Sequence, residues 1–145
     1  MNTISEAFPY FCVADADAAL AFYGAVFSAE ELFRLTEPNG RVGHLELRIG
    51  PMTLMLSEPF PEMNIRPPSG DEGAYCLHLH VDDCDEMAQR ALAAGAEILS
   101  GPADQFYGER SCRIRDPFGH HWLLGHSIEE ISHEEMQRRY TALIG

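Results

Sequence analysis

The sequence contains no lysine: all ten of its basic residues are arginines, against 23 aspartates and glutamates, and the net charge is −13. The absence of lysine excludes Schiff-base chemistry and acid–base catalysis by lysine. Negative charge of this size repels nucleic acid and anionic lipid, so we expect neither as a partner. It would attract a cationic small molecule, although the same charge can simply keep a protein soluble.

Cysteines are few, and the sequence lacks long apolar runs and the common nucleotide-binding and serine-nucleophile motifs. The four cysteines show no C-x-x-C spacing, and the N-terminus lacks the regions of a signal peptide, so we expect reduced thiols in a cytoplasmic protein. No run approaches the roughly 18 apolar residues of a membrane span, so we expect no membrane segment. No P-loop, G-x-G-x-x-G or G-x-S-x-G motif occurs.

One segment of the chain is present in two copies. Residues 11–17 (F-C-V-A-D-A-D) align with residues 79–85 (L-H-V-D-D-C-D), an offset of about 68 residues. In each copy an alternating apolar strand leads into an aspartate that can cap a helix. Two such copies predict a fused pair of α/β modules, neither of which could bury its faces alone.

Periodicity and turn residues predict the order β-α-β-β-β in each module. Module 1 covers about residues 6–58, residues 59–73 form a linker, module 2 covers about 74–127, and a C-terminal helix spans about 132–142. The predicted fold is α+β: a single domain, residues 1–145, in which two βαβββ modules form curved mixed sheets around a central cavity. The predicted strands lie at 7–13, 31–36, 44–49, 52–57, 75–81, 97–100, 111–115 and 121–126, and the first two helices at 16–28 and 84–94.

The repeated order, the Val-x-Asp before each helix and the turn at residues 116–119 (D-P-F-G) resemble the vicinal oxygen chelate superfamily. That superfamily includes glyoxalase I, extradiol dioxygenases and the bleomycin- and fosfomycin-resistance proteins. Residues 104–110 (D-Q-F-Y-G-E-R) are similar to the D-x-F-W-G-D-R stretch of its PhnB-like branch, as is the ending 116–122 followed by His126. The resemblance covers roughly residues 6–140. It implies the glyoxalase/bleomycin-resistance fold and a homodimer, with the C-terminal helix packed across a second subunit.

Enzymes of this superfamily hold a divalent metal through side chains on the first, fourth, fifth and eighth strands. The resemblance places Phe8, Ser57 or Glu58, Cys76 and Leu123 at these positions. A divalent ion needs at least three N, O or S donors, and Phe8 and Leu123 offer none. We therefore expect no metal, no other cofactor and no catalytic residue at the usual site.

Two groups of polar residues lie on predicted strands. Cys76, His78 and His80 are expected to share one strand face, since side chains two apart point the same way. An H-x-H pair can bind zinc, with Glu46 completing the site; alternatively, these residues line a wet cavity, in which His78, at mid-strand, is the better ligand contact. His44, Glu46 and Arg48 share one face of the third strand. This face is either exposed to solvent or lines the cavity and contacts a polar ligand.

Aromatic residues form the remaining candidate site. Phe106, Tyr107 and Arg110, on the loop before the seventh strand, either form a wall that stacks on a planar ligand or pin the loop to the domain. Phe8 and Tyr10, on the first strand, would extend an apolar lining. On the eighth strand His121 is expected to face the cavity, whereas Trp122 is expected in the core.

The sequence therefore predicts a protein that binds or sequesters a planar or cationic small molecule, such as an antibiotic, with the usual metal site lost. The alternative is a metal-dependent lyase, isomerase or dioxygenase with a site relocated to His78, His80 and Glu46. A third possibility is a structural or regulatory dimer. The predicted ligand-binding residues are Phe8, Tyr10, His44, Glu46, Cys76, His78, Phe106, Tyr107, Arg110 and His121.

Overall fold

The computed structural model describes residues 2–145 and divides the chain into two compact units. The first unit ends at Asp71, and the second spans Glu72–Gly145. Each unit contains one four-stranded mixed sheet with a helix between its first and second strands. The α+β fold class and the βαβββ order are therefore confirmed. Within the described residues, no helix is long and apolar enough to cross a membrane.

The first unit has its helix directly after a very short strand. Its elements are β1 (Tyr10–Cys12), α1 (Ala16–Phe27), β2 (Glu30–Thr36), β3 (Val42–Ile49) and β4 (Met52–Ser57). The strand order is β1-β4-β3-β2, with β1 and β4 parallel and the other neighbours antiparallel. The prediction of a strand from residue 7 was wrong: Phe8 lies before β1, because only three residues of this segment pair with β4.

The second unit repeats this topology and adds a C-terminal helix. Its elements are β5 (Leu77–His80), α2 (Cys84–Ala93), β6 (Glu97–Asp104), β7 (Glu109–Arg115), β8 (His121–Ser127) and α3 (His133–Ile144). The order is β5-β8-β7-β6, with β5 and β8 parallel. Two predictions are corrected, because pairing with β8 begins at Leu77 and at Glu109: Cys76 lies outside β5, and Arg110 lies within β7 rather than on the preceding loop.

Both repeated helices begin with the predicted aspartate cap. Asp15 Oδ1 accepts a hydrogen bond from the Ala18 amide at 3.0 Å, and Asp83 Oδ1 accepts one from the Glu86 amide at 3.1 Å. Each cap satisfies an amide that has no carbonyl partner inside its helix. The duplicated sequence therefore encodes a duplicated helix start.

Each helix start also makes a second contact. In the first unit it comes from the residue just after β4, and in the second unit it comes from β8. Glu58 Oε2 accepts from the Ala16 amide at 2.9 Å, while its Oε1 accepts from the Val42 amide at 2.7 Å. At the equivalent place in the second unit, His126 Nδ1 accepts from the Cys84 amide at 2.9 Å. These bonds join the last strand of each unit to the helix that follows the first strand.

The apolar face of β3 packs on the side of α1. Leu45, Leu47 and Ile49 are buried, as their alternation predicts. Of the apolar stripe at Leu20, Tyr23 and Phe27 on α1, Leu20 keeps partial exposure. Leu20 lies at the edge of the buried face of the helix rather than at its centre. The buried residues of α1 are Ala16, Ala19, Phe22, Tyr23, Val26 and Phe27.

A buried carboxylate organises the turn between β7 and β8. Asp116 Oδ2 accepts from Nε1 of the fully buried Trp122 at 2.9 Å. Its Oδ1 accepts from the amides of Phe118 and His120 at 2.9 and 3.0 Å. Gly119, at φ +96°, supplies the left-handed residue that the turn requires. The D-P-F-G signature is thus a hydrogen-bonded support for the core tryptophan.

We expect Asp116→Ala to lower the free energy of unfolding by about 3 kcal/mol, because three donors around a buried carboxylate lose their acceptor. Urea titration followed by the fluorescence of Trp122, the single tryptophan, measures the change. The exposed Asp82→Ala variant is the control, with an expected change within about 0.5 kcal/mol. Equal midpoints for the two variants would contradict this account of the turn.

Candidate functional site

The face of the first sheet opposite the α1 side carries aromatic and charged side chains. In the strand register Tyr10 lies opposite Met55, and Met55 lies opposite Glu46. On the other side of β3, Phe33 of β2 also lies opposite Glu46. The residues Tyr10 and Phe33 remain 52% and 46% exposed, so large rings on this face are accessible.

His44 lies at the centre of this face, between the two rings. Its imidazole centroid is 5.5 Å from the Tyr10 ring and 5.5 Å from the Phe33 ring. The Tyr10 hydroxyl lies 2.8 Å from His44 Nδ1, and His44 Nε2 lies 2.8 Å from Glu46 Oε2. A neutral imidazole protonated on Nε2 satisfies both bonds, since Nδ1 then accepts from the hydroxyl and Nε2 donates to the carboxylate. We call Tyr10, Phe33, His44 and Glu46 the ring platform.

The surroundings of Tyr10 keep its phenol protonated. Burial of the hydroxyl raises the pKa of Tyr10, and the negative charge of Glu46 raises it further, while a hydrogen bond with Ser57 acts in the opposite direction. The phenol therefore acts as a hydrogen-bond donor at neutral pH rather than as a phenolate base.

We expect the phenol of Tyr10 to ionise above the ordinary tyrosine value of about 10. The difference between the ultraviolet titration curves of the wild type and Tyr10→Phe isolates this group. Replacing Glu46 with Gln should lower the pKa of Tyr10 part of the way, because it removes one negative charge near the phenolate and leaves the burial unchanged. An unchanged Tyr10 curve in Glu46→Gln would show that the carboxylate does not act on the phenol.

The second unit brings two histidines and one carboxylate together. His78 and His80 of β5 share the face that carries Leu123 and Gly125 of β8. Glu109, the first residue of β7, places its Oε1 3.6 Å from His78 Nε2 and its Oε2 3.1 Å from His80 Nε2. One donor atom from each of these three side chains lies within 4.8 Å of the other two. We call them the histidine–glutamate cluster.

The carboxylate of this cluster was not predicted from the sequence. Glu46, which was expected to complete a histidine site, is hydrogen-bonded to His44 in the first unit. The carboxylate that the second unit places beside the β5 histidines belongs to Glu109, 29 residues from His80. The signal for it lay in the D-Q-F-Y-G-E-R segment, whose glutamate begins β7.

The aromatic loop before β7 is held against α3. The ring of Phe106 stacks on Tyr140 at 5.4 Å and meets Tyr107 edge-on at 5.2 Å. Arg139 donates to the Phe106 carbonyl at 3.1 Å, and the Tyr107 hydroxyl lies 3.1 Å from Ser111 Oγ. These contacts favour the pinned-loop interpretation. An open groove of about 270 Å³ nevertheless remains, lined by Phe106, His133, Met136, Gln137 and Tyr140.

Arg110 makes ion pairs with two carboxylates. Its Nε and Nη2 donate to Asp85 at 2.6 and 2.9 Å, and its Nη1 donates to Asp104 at 3.0 Å. The hydrogen bonds to Asp85, and then those to Asp104, raise the pKa of the guanidinium and keep it charged. Its donors thus join β7 to the first turn of α2 and to the end of β6.

The three remaining predicted residues belong neither to the ring platform nor to the histidine–glutamate cluster. Phe8 is 42% exposed ahead of β1, and Cys76 is a half-buried free thiol ahead of β5. His121 is buried, and within residues 2–145 its Nε2 has no hydrogen-bond partner. The backbone of Gly73 lies against its imidazole so closely that a β-carbon there would approach Nδ1 to 2.7 Å. The ligand-facing role predicted for His121 remains a prediction.

Comparison with known proteins places this architecture among characterised folds. Residues 5–124 match the profile of the Glyoxalase/Bleomycin resistance protein/Dioxygenase superfamily. The uncharacterized protein Mb0911c of Mycobacterium bovis is 40% identical over 133 residues, which cover 89% of this chain and 88% of that protein. The crystal structure of TioX from Micromonospora sp. ML1 is 27% identical, with a TM-score of 0.62 over 88% of this chain and 100% of that one.

A more distant structure shares the fold. The fosfomycin resistance protein FosX of Listeria monocytogenes, solved with Mn(II) and sulfate, is 19% identical. Its TM-score is 0.69, over 95% of this chain and 99% of that chain.

Proposed function

We propose that this chain, which belongs to the glyoxalase/bleomycin resistance protein/dioxygenase superfamily, binds a planar or cationic small molecule. In this proposal, binding does not use the metal that is usual in the enzymes of that superfamily. The observation that supports this proposal is the ring platform. Two exposed rings flank an imidazole that is held in place by hydrogen bonds at both of its nitrogens, with a carboxylate alongside.

The chemistry of the platform matches such a guest. Aromatic faces attract a cation by about 0.5–1 kcal/mol at exposed sites, and a stacked ring adds about 0.5–1.5 kcal/mol beyond the area it buries. The Glu46 side chain is 18% exposed, so its charge is screened less than that of a surface carboxylate. The net charge of −13 raises the local concentration of cations near the protein.

The residues at the family's metal positions support a metal-free binding mode. Phe8 and Leu123 have no donor atoms, and both carboxylate oxygens of Glu58 already accept backbone hydrogen bonds. A divalent ion needs at least three N, O or S ligands. The side chains at these positions therefore do not fit the metal.

The fold also occurs in a protein that acts in resistance to an antibiotic, the FosX structure of Listeria monocytogenes. Antibiotics with planar or cationic groups are one class of guest that we propose for the ring platform. We further propose that the protein is a homodimer, as the family resemblance implies, and that it is cytoplasmic, as its sparse cysteines suggest.

A second candidate function is that of a metal-dependent lyase, isomerase or dioxygenase. The histidine–glutamate cluster favours it, because two imidazoles and one carboxylate form a ligand set found in catalytic zinc sites. In this candidate Glu109 takes the place that the sequence suggested for Glu46.

We expect a planar cation such as proflavine to bind more tightly than a planar anion such as anilinonaphthalene sulfonate in a fluorescence titration. Phe33→Leu should weaken proflavine binding by about three- to tenfold, because one stacking surface is lost. Glu46→Gln should weaken it by a similar factor and reduce the preference for the cation.

Two matched variants locate the binding site. Phe106→Leu removes a ring from the groove beside α3, and Glu134→Gln removes one exposed charge from α3. Neither should change proflavine affinity. Weakened binding in Phe106→Leu with no change in Phe33→Leu would overturn the ring platform as the site.

A further inference from the structure

We infer that the histidine–glutamate cluster is a binding site for a divalent first-row transition-metal ion of the zinc type, held by His78, His80 and Glu109. This site differs from the positions at which the enzymes of the family bind metal. It lies wholly within the second unit. The inference is independent of the proposed binding function, which rests on residues of the first unit, and it deepens the second candidate function, which rests on this cluster.

The distances between the donor atoms suit a single ion. Ligands at about 2.0–2.1 Å from a tetrahedral zinc ion are separated from one another by roughly 3.3–3.5 Å. His78 Nε2 lies 3.6 Å from Glu109 Oε1 and His80 Nε2 lies 3.1 Å from Glu109 Oε2, and one donor atom from each of the three side chains lies within 4.8 Å of the other two. An ion can therefore be bound after small side-chain rotations, without movement of the strands.

The position of the carboxylate is better explained by a ligand than by an ion pair alone. Among the described residues, Glu109 Oε1 is buried and accepts no hydrogen bond. A buried carboxylate oxygen without a donor is costly, and a bound cation satisfies it. The two imidazole edges converge on this same carboxylate, with their ring centroids 4.8 Å apart.

Gly125 provides the space in which this carboxylate lies. A β-carbon at this position would lie 2.7 Å from Glu109 Oε1 and 3.4 Å from His78 Nε2. Gly125 pairs with His80 on one side and with Ser111 on the other, in regular strand geometry. The glycine is thus not required by the backbone, and its missing side chain leaves the room that the ligand set needs.

The site would bind its ion with an open coordination position. The side chains of His78 and His80 are 40% and 69% exposed, so solvent or a small ligand can reach an ion bound between them. Glu109 also lines a polar groove of about 590 Å³ that extends to Ser127 and Glu129. Three protein ligands with an open fourth position are the arrangement of catalytic rather than structural zinc sites.

Isothermal titration of the full chain with Zn²⁺ tests the inference. We expect one site per chain that is tighter than any Ca²⁺ binding, because imidazole favours zinc over oxygen-selective cations. His80→Ala and Glu109→Gln should each weaken Zn²⁺ binding at least roughly tenfold. Gly125→Ala should also weaken it by displacing the Glu109 carboxylate while all three ligands remain.

His133→Ala, on the exposed surface of α3, is the histidine control and should bind Zn²⁺ as the wild type does. Circular dichroism checks the fold of every variant. If a cluster variant does not fold, long-range ¹H–¹⁵N spectra of the wild type supply the test: one equivalent of Zn²⁺ should shift Nε2 of two histidines among the seven.

Zn²⁺ binding that is equal in His80→Ala, Glu109→Gln and His133→Ala would overturn the site, as would an absence of histidine shifts. Either result would leave the ring platform untouched. Conversely, Phe33→Leu and Glu46→Gln should not alter the Zn²⁺ isotherm, so the failure of one proposal can be told apart from the failure of the other.

Discussion

Parallel pairing between the first and last strands of each βαβββ unit determines which side chains share a face. In the first unit this pairing places Tyr10 beside Met55, and in the second it places His78 beside Leu123. A shift of one residue would turn the entire polar set of a strand towards its helix. The positions of Tyr10 in the ring platform and of the two histidines in the histidine–glutamate cluster therefore depend on registers that a few backbone hydrogen bonds and the helix-start contacts maintain.

The two units keep the same skeleton and have diverged in the chemistry they carry. Glu58 and His126 occupy equivalent places and make the same contact with the first amide of a helix, although one is an acid and the other a base. Tyr10 and His78 are likewise equivalent by the 68-residue offset, yet one belongs to an aromatic surface and the other to a potential ligand set. Duplication thus preserved the contacts that the backbone requires and left the open faces free to change.

The fold could be read from the sequence because its signals are local, whereas the partners at the sites depend on long-range register. Alternation and the aspartate caps at Asp15 and Asp83 predicted both modules. Phe33 was missed because an irregularity in β2 between Glu31 and Phe33 turns its ring to the open face. Glu109 was missed because its proximity to the β5 histidines arises only when β7 and β8 pair.

The hydrogen that Gly125 carries in place of a side chain has an evolutionary consequence. In a homologue with alanine or any larger residue there, the glutamate that begins β7 would be pushed away from the β5 imidazoles by steric contact. Loss of the ligand set would then require no change at either histidine or at the acid. Among relatives that retain all three of these residues, a fourth, chemically inert position would therefore separate chains that can form the ligand set from chains that cannot.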